Sequence, residues 1–263
     1  MDLKELPFHA FARHPWEIVR ADFFLRLLRD RVKGNDLSAL DLGAGDAYFA
    51  RRLVGALPAV SRMTCFDLAY DARWLADRAD AENSVDKLGE IQFTSTKPDE
   101  RFDLIVMLDV LEHTADDRAA LREATSSLLK PGGWLLLSVP AWPALFSRHD
   151  ETLGHHRRYT PARLRALVAE ANLTTAVQGE LFASLLVPRA FATLGEIAFG
   201  GGKRTDGMVQ APADTSLSKW KRGTWVTLAV KTALTLDATC CQVAARLRLP
   251  FAGLSTWVLA RMP

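Results

Sequence analysis

Short apolar runs alternate with helical patterns over the first two thirds of the chain, and this alternation constrains the fold more than any other feature. Such alternation is typical of a parallel β-sheet covered by helices on both faces. Strands are predicted at Leu37–Leu42, Met63–Asp67, Ile91–Thr94, Phe102–Leu108, Trp134–Val139, Thr174–Gln178 and Leu254–Ala260. Helices are predicted at Trp16–Lys33, Tyr48–Leu57, Asp71–Ala81, Asp116–Leu129, Pro161–Asn172 and Thr224–Arg246. The sequence therefore predicts a seven-stranded α/β sheet.

We expect a single domain, residues 1–263, with a large insert before its last strand. An N-terminal helical segment (1–35) precedes the core (36–180), and a helical insert (181–250) precedes the final strand (251–263). In the opening helix, Trp16 and Phe24 belong to an apolar side and the arginines to the opposite side. The middle of the insert, residues 200–219, is rich in glycine and polar residues and is expected to be mobile.

Balanced charge and ordinary apolar content limit the classes of function. The chain has 33 basic and 31 acidic residues, a net charge of +2, so charge gives no reason to expect a nucleic-acid partner. Its three cysteines, Cys65, Cys240 and Cys241, form no CxxC pair, which suits a reducing compartment. Charged residues interrupt every candidate membrane span: Arg189, Glu196, Lys231 and Asp237. We expect a cytoplasmic protein, and peripheral contact with the inner face of a membrane stays open.

The stretch Ala39–Ala47, ALDLGAGDA, joins the first predicted strand to the next helix. Gly43 and Gly45 allow backbone conformations that other residues rarely adopt, and they let a ligand approach the backbone closely. Asp67 ends the second predicted strand, where a carboxylate can accept hydrogen bonds from both hydroxyls of a ribose. The glycines and the acid together predict a nucleoside-containing cofactor. These residues alone leave nicotinamide, flavin and S-adenosylmethionine open.

Four motifs in chain order resemble class I S-adenosylmethionine-dependent methyltransferases: DLGAGDA after the first strand, FDLAY at the second, FDLIVMLDVLEH at the fourth and LLKPGGWLLLSVP leading into the fifth. The resemblance covers about residues 36–173 and returns at the final strand. It implies a Rossmann-like seven-stranded sheet, mostly parallel, whose last strand is antiparallel. It also implies S-adenosyl-L-methionine as the cofactor.

The resemblance assigns cofactor binding to Asp41, Gly43, Gly45, Asp67, Leu68 and Asp109. The two glycines would face the methionine part of the cofactor, Asp67 would bind the ribose, and Asp109 would lie near the sulfonium or amino group. Asp41 would orient the first turn. The chain departs from the family pattern at Ala47, where a third glycine is usual, and at residues 94–98, which lack the acid that often contacts adenine.

A second group of titratable residues follows the fifth strand, as RHD at 148–150 and GHHRRYT at 154–160. The loop leaves the same edge of the sheet that holds the glycine motif, and it resembles a subgroup of bacterial methyltransferases with HD followed by GHxRRYT. We predict His149 as the general base, Asp150 as the group that orients it, and His155 as the substitute base. A neutral imidazole suits this work because its pKa lies near neutral pH.

Arg157 and Arg158, with Tyr159, are predicted to bind a carboxylate or phosphate of the substrate, because the guanidinium fork matches both groups. In an alternative interpretation, the arginines bind backbone carbonyls of the loop, while His155 and Tyr159 only pack against it. The residues alone leave both interpretations open.

A metal site is an alternative use of some of these residues. Asp109, Glu112 and His113 follow the fourth strand, and His149 or His155 would complete a site for Mg²⁺ or Mn²⁺. This pattern resembles ubiquinone-pathway O-methyltransferases and small-RNA 2′-O-methyltransferases. In the competing interpretation, Glu112 and His113 cap the following helix.

The insert has three open interpretations: a lid over an apolar substrate, a homodimer surface, or an element that lies on a membrane surface. Its predicted helix Thr224–Arg246 is apolar except for a narrow polar stripe, and residues 203–248 contain 8 basic and 3 acidic residues. We expect methyl transfer to an oxygen of a small or lipid-linked acceptor. The alternatives are N- or C-methylation of a small metabolite, another group transfer with the same cofactor, and a non-catalytic regulatory protein that binds it.

Overall fold

The computed structural model describes residues 13–76, 90–199, 220, 222–247 and 249–263. Seven strands form one sheet: β1 (Leu37–Leu42), β2 (Val60–Phe66), β3 (Glu90–Thr94), β4 (Phe102–Leu108), β5 (Leu129–Pro140), β6 (Thr174–Leu181) and β7 (Ser255–Arg261). The described helices are α1 (Pro15–Arg31), α2 (Tyr48–Ala56), α3 (Asp117–Glu123), α4 (Arg148–Leu153), α5 (Pro161–Glu170), α6 (Leu186–Phe199) and α7 (Thr224–Leu247). Residues 72–76 are also helical, and the rest of the predicted helix Asp71–Ala81 lies outside the described residues.

The strand order is β3-β2-β1-β4-β5-β7-β6, and β7 runs antiparallel to both of its neighbours. This arrangement confirms the predicted sheet with its antiparallel last strand. From β1 the chain builds the sheet outward through β2 and β3, and it then returns to β4 on the other side of β1. The crevice at the carboxyl ends of β1 and β4 is therefore the place where ligands bind in open sheets of this kind.

Alternate residues of the strands divide the core between the two faces of the sheet. On one face Leu104 and Val106 pack in the same cluster as α1, α2 and α7. On the other face Ile105 and Met107 pack with α3 and α5. Each of these four side chains is at most 1% exposed. The predicted helical cover on both faces is thereby confirmed.

Side-chain caps fix the start of two helices. Thr160 Oγ1 accepts a hydrogen bond from the backbone nitrogen of Arg163 at 3.2 Å, and Pro161 is the first residue of α5, as predicted. In the same way His14 Nδ1 accepts from the backbone nitrogen of Trp16 at 3.2 Å, at the start of α1. Both helices therefore begin where the sequence supplies a cap.

One predicted helix ends earlier than its apolar pattern indicates. Within Asp116–Leu129, the α-helix ends at Glu123 and continues as a π-helical turn over Ala124–Leu128. Strand β5 then begins at Leu129. Gly132 has a left-handed backbone, with φ of 75°, and lies within β5, where the register against β4 shifts. A helical apolar period does not distinguish an α-helix from a short π-turn, so the sequence placed this boundary too late.

The insert helices are attached to the core. Helix α7 packs along α1 and β6, and Arg246 Nη2 lies 2.7 Å from Asp30 Oδ2 of α1. Asp237 accepts hydrogen bonds from the backbone nitrogens of Ala183 and Ser184, at 3.1 and 2.9 Å. The segment predicted to be mobile, residues 200–219, lies outside the described residues. Among the helices that the structure describes, none has both the length and the apolar character needed to span a membrane.

Candidate active site

The glycine loop after β1 lies at the crevice between β1 and β4. Gly43 and Gly45 have φ angles of 77° and 52°, in the region that favours glycine. Gly43 also approaches Val110 closely, so that a Cβ atom at position 43 would lie 2.6 Å from Val110 Cγ2. Both backbone conformation and packing therefore require glycine at position 43.

The position of the missing third glycine keeps a glycine-like backbone. Ala47 has φ of 58° and ψ of 22°, caps α2, and has a fully buried side chain. An alanine in this conformation costs about 1 kcal/mol. Position 47 therefore keeps a left-handed backbone although it carries an alanine.

The structure brings Asp67 against the glycine loop. Its Oδ2 accepts a hydrogen bond from the backbone nitrogen of Gly45 at 2.8 Å, and its Oδ1 accepts from that of Ala69 at 2.9 Å. The neighbouring Leu68 is 83% exposed. The Tyr70 hydroxyl donates to the carbonyl of Gly45 at 2.7 Å. Asp67 thus lies beside the loop, and its contact with a ribose stays a prediction.

A cleft opens between the glycine loop and α1, with about 530 Å³ of space that is open to solvent. Its charged lining consists of Arg13, Glu17, Arg20, Asp41, Asp46 and Asp109. Arg13 pairs with Asp46, and Arg20 pairs with Asp109. The predicted residues Asp41, Gly43 and Asp109 therefore share one cleft.

Helix α1 contributes an arginine that was predicted, wrongly, to lie on the side of the helix opposite Trp16 and Phe24. Arg20 is 9% exposed, and its guanidinium group meets Asp109 at the end of β4. It also lies over the rings of Trp16 and Phe24, 5.6 and 6.0 Å from their centroids. The spacing contained the signal, because a residue four positions from both Trp16 and Phe24 lies on their face of the helix.

Asp41 is a buried acid behind the cleft, with 4% of its surface exposed. Burial raises the pKa of Asp41 to about 7, and the nearby carboxylate of Asp67 acts in the same direction. A cation bound in the cleft would favour the ionised form. Together with Asp67 and Asp109, Asp41 gives this end of the sheet an acidic character that suits a positively charged ligand.

Asp150 is the centre of a second cluster, in the loop and short helix after β5. Its side chain is fully buried. Arg158 Nη2 lies 2.8 Å from one carboxylate oxygen, and Arg189 Nη2 lies 2.6 Å from the other. The backbone and hydroxyl of Ser147 donate to Asp150, at 3.0 and 3.2 Å. Burial favours the neutral acid, but hydrogen bonds from His155 and Arg158 lower the pKa of Asp150 well below its usual range. Asp150 is therefore a charged hub, by which we mean one buried carboxylate that binds Ser147, His155, Arg158 and Arg189 together.

The imidazole that Asp150 orients is His155, with 3.1 Å between Nδ1 and Oδ1. The predicted partner, His149, is the wrong one. Successive side chains on a helix do not face each other, and the carboxylate at position 150 turns inward to cap α4. His149 is half-buried, and burial together with the charge of Arg189 lowers its pKa. Both histidines stay predicted bases. The hydrogen bond to Asp150 orients His155, and the lowered pKa of His149 favours its neutral form.

His155 also belongs to a group with Glu112 and His113. One ligand atom from each of the three residues lies within 4.8 Å of the others. Glu112 is fully buried, and within the described part of the chain neither of its carboxylate oxygens has a hydrogen-bond partner. Burial, aided by the charge of Asp109, raises the pKa of Glu112 well above its usual value.

This group differs from the predicted metal set. Asp109 is paired with Arg20 and is not part of the group. Of the two later histidines that were predicted to complete the site, His155 is the one that lies beside Glu112 and His113. The competing interpretation, in which Glu112 and His113 cap the next helix, is wrong. Asp116 caps α3, because its side chain accepts from the backbone nitrogen of Ala119 at 2.9 Å.

The two predicted substrate arginines have partners within the protein. Arg157 Nη2 donates to the carbonyls of Thr114 and Ala115, at 3.3 and 2.5 Å. Arg158 donates to Asp150 and, at 3.2 Å, to the carbonyl of Ala141. The contact of Arg158 with Ala141 matches the alternative in which the arginines bind backbone carbonyls of the loop, whereas Arg157 binds carbonyls of the segment after β4. A contact between either arginine and substrate stays a prediction.

Tyr159 is 1% exposed and ties the loop to the end of β5. Its backbone nitrogen donates to the carbonyl of Pro140, and its carbonyl accepts from the nitrogen of Trp142, both at 2.9 Å. The predicted role of Tyr159 in substrate binding stays a prediction, and its observed place is within the core.

Helix α6 of the insert packs on this loop. Besides Asp150, Arg189 reaches Ser147 Oγ at 2.6 Å. Glu196 accepts a hydrogen bond from the backbone nitrogen of Arg148 at 3.1 Å. These pairs join residues 42 and 48 positions apart, so no local pattern in the sequence indicated them. The insert therefore forms one wall beside the two histidines.

Comparison with known proteins gives a family match and distant structural likenesses. The family model described as "Methyltransferase domain" matches residues 10–178. The ubiquinone biosynthesis O-methyltransferase of Xanthomonas campestris pv. campestris (strain B100) is 30% identical over 140 residues, which are 51% of this chain and 54% of that protein. The chain thus spans about half the length of the curated relatives that it matches.

Two solved structures cover most of this chain. The cyclopropane synthase MmaA2 from Mycobacterium tuberculosis has a TM-score of 0.54 and 17% identity, over 93% of this chain and 84% of that one. The [4+2]-cyclase SpnF has a TM-score of 0.50 and 18% identity, over 92% of this chain and 80% of that one. At such low identity these likenesses show the fold alone.

Proposed function

Because the chain belongs to the methyltransferase domain family, as a class I S-adenosylmethionine-dependent methyltransferase, we propose that it methylates an oxygen atom of a small or lipid-linked acceptor. The observation that carries this proposal is the hydrogen bond from His155 to the buried Asp150, beside the end of β4. An oxygen acceptor has a proton to lose, and an oriented imidazole can take it. The name of the Xanthomonas relative, an O-methyltransferase, supports the same choice.

The acidic cleft fits the proposed cofactor. When bound, S-adenosylmethionine supplies an electrophilic methyl group on a positively charged sulfur. Gly43 lines the cleft and would offer its backbone to the methionine part. Asp41 would ionise when the cationic groups bind, and Asp109 would share its charge between them and Arg20. Asp67 would hold the ribose. These roles rest on position and charge.

The residues of the second cluster would hold the acceptor and move its proton. With Nδ1 of His155 facing Asp150, the neutral ring donates from that nitrogen and leaves Nε2 as the basic atom. A general base of this kind contributes about 10²- to 10⁴-fold in rate. His149 is the second candidate, because its lowered pKa keeps it neutral and able to accept a proton.

The test compares three single substitutions while following formation of S-adenosylhomocysteine with phenolic and lipid-linked hydroxyl acceptors. His155→Ala is expected to lower kcat about 100-fold and to leave calorimetric affinity for the cofactor unchanged. His156→Ala is the matched control, since its ring is exposed and lies next to His155. A large loss in His149→Ala alone would transfer the base to His149. Full activity in both variants would contradict an imidazole base, and methylation of nitrogen or carbon acceptors only would contradict the oxygen acceptor.

A divalent cation at Glu112, His113 and His155 is a second candidate for the chemistry. It is favoured by the buried carboxylate of Glu112, whose oxygens lack hydrogen-bond partners in the described structure. Two imidazoles and one carboxylate suit Mn²⁺ better than Mg²⁺. Bound there, the ion would orient an acceptor oxygen and lower the pKa of its hydroxyl group.

Metal binding and turnover are measured separately. If the ion is used, chelation stops turnover and Mn²⁺ restores it. In electron paramagnetic resonance, Glu112→Gln then lacks the signal of protein-bound Mn²⁺ that the native chain gives. Turnover that is indifferent to chelator, with no Mn²⁺ bound by the native chain, would remove this candidate and leave His155 as a proton acceptor.

A further inference from the structure

Exposed apolar side chains are concentrated on the insert. Of the twelve large apolar residues that are most exposed in the described part of the chain, all but Leu68 lie between positions 187 and 251. We name as the insert surface those on α6 and α7: Val187, Phe191, Leu194, Trp225, Val226, Leu228, Leu236, Val243 and Leu247. Their exposed fractions run from 48% to 83%. Clustered apolar exposure of this kind marks an interaction surface.

The outer side of α7 lacks the charges that a solvent-facing helix usually carries. The 24 residues of α7 include only three charged ones, Lys231, Asp237 and Arg246. Asp237 is bound to the backbone of Ala183 and Ser184, and Lys231 is half-buried. The outer side is thus apolar and nearly uncharged along the helix, as expected for a surface that another body covers.

Basic residues stand at both ends of this apolar stretch. In the sequence, Lys219, Lys221 and Arg222 precede α7, and Arg246 and Arg248 end it; of these, Arg246 is paired with Asp30 of α1. After Asp214 the chain contains a single acidic residue, Asp237, and that residue is used inside the protein. The body that covers the surface therefore has apolar contact area and negative charge.

These features distinguish between two occupants, a second copy of this chain and a lipid surface. A second copy aligned along α7, parallel or antiparallel, would bring basic ends against basic ends, which is unfavourable. An anionic lipid surface supplies both the apolar contact and the negative charge, and the exposed Trp225 near the start of α7 suits a lipid interface.

We propose that the insert surface binds anionic lipid membranes, with the apolar side chains of α6 and α7 in the interface and the basic ends on lipid headgroups. Because Arg189 and Glu196 join α6 to the loop of Asp150, binding would hold the second cluster close to the lipid. That placement suits a lipid-linked acceptor. The proposal itself does not require methyl transfer, since it concerns the surface alone.

The first experiment is co-sedimentation of the full chain, without cofactor, with vesicles of phosphatidylcholine alone or with added phosphatidylglycerol. Binding is expected with the anionic vesicles, at least about tenfold weaker binding with the neutral ones, and release by salt. Trp225→Ser combined with Leu236→Ser is expected to reduce binding at least about tenfold. Leu68→Ser is the matched control, because Leu68 is as exposed as Trp225, at 83%, and lies outside the insert surface.

A charge variant tests the basic ends. Arg222→Glu is expected to weaken binding to the anionic vesicles by about tenfold, since it replaces an attractive charge with a repulsive one. Arg165→Glu is its control, an exposed residue of α5, which packs on the opposite face of the sheet from α7. Circular dichroism establishes that each variant is folded.

Three results would overturn the proposal: no binding of the native chain to anionic vesicles, equal loss in Leu68→Ser and in the double variant, or a dimer in solution that the double variant abolishes while vesicle binding is absent. The last result would assign the surface to a second copy. A chain that binds vesicles but forms no S-adenosylhomocysteine with any acceptor keeps this proposal and overturns the proposed function.

Discussion

The two halves of the candidate active site are built in different ways. At the glycine loop the geometry resides in the backbone, with positive φ angles at Gly43 and Gly45 and a backbone nitrogen bound to Asp67. In the loop after β5 it resides in side chains, because the carboxylate of Asp150 holds Arg158 and Arg189. The first half depends on residues that lack a side chain, and the second depends on one buried charge.

The difference predicts how each half fails. A backbone-built loop fails when a side chain is added, whereas a charge hub fails when its charge is removed. The first failure is steric and local. The second leaves buried cations without a counter-charge, which costs more and affects every segment that the hub joins.

The largest expected effect follows removal of the hub charge. Asp150→Asn leaves Arg158, 7% exposed, and Arg189, 16% exposed, without their common counter-charge. We expect the free energy of unfolding to fall by about 3–5 kcal/mol in urea denaturation. The control is Glu123→Gln, which breaks the exposed pair with Lys97 and should cost at most about 1 kcal/mol. Equal losses in the two variants would contradict the role of Asp150 as a hub.

The backbone-built half was also the predictable half. The order of strands and helices, the glycine motif and an acid at the end of β2 are local patterns, and each is placed where the sequence indicated. Secondary structure and the antiparallel β7 followed from the same patterns together with the family resemblance. The boundary after α3 was misplaced because an apolar period does not distinguish α- from π-helical turns.

The side-chain-built half was predictable in composition only. The histidines, Asp150 and the arginines are together in the sequence, but their pairing depends on Arg189, 39 positions from Asp150. Pairs between residues so far apart in the chain produce no periodic pattern or fixed spacing in the sequence from which they could be predicted. Consequently the sequence named the residues of the cluster and paired Asp150 with the wrong histidine.

The next prediction breaks the backbone-built half. Gly43→Ala places a Cβ atom 2.6 Å from Val110 Cγ2 and adds strain at φ of 77°. Stability is expected to fall by about 2 kcal/mol, with loss of cofactor affinity. Adding Val110→Ala removes the clash and leaves the strain, so a double-mutant cycle in urea should show partial recovery. Purely additive losses would show that contact with Val110 is not the cause.

A smaller effect is expected at the acid beside the same loop. Asp67→Ala removes the acceptor of the Gly45 backbone nitrogen and the proposed ribose ligand, so cofactor affinity should fall about tenfold or more in calorimetry. Asp71→Ala is the control, because the exposed carboxylate of Asp71 accepts from the backbone nitrogen of Trp74 at 2.7 Å and not from the glycine loop. Unchanged affinity in Asp67→Ala would remove this residue from the site.

The smallest expected effect is a pH dependence that separates the two halves. Burial raises the pKa of Asp41 to about 7, so the empty cleft holds this acid largely protonated below pH 7. A cationic cofactor favours the ionised form and lowers that pKa, and binding therefore releases a proton and strengthens as pH rises through 7. Affinity should increase about threefold from pH 6 to pH 8, and Asp41→Asn should abolish the increase. Because Asp150 has a pKa well below this window, Asp150→Asn should leave the slope unchanged, and a slope lost in that variant instead would place the titrating group in the side-chain-built half.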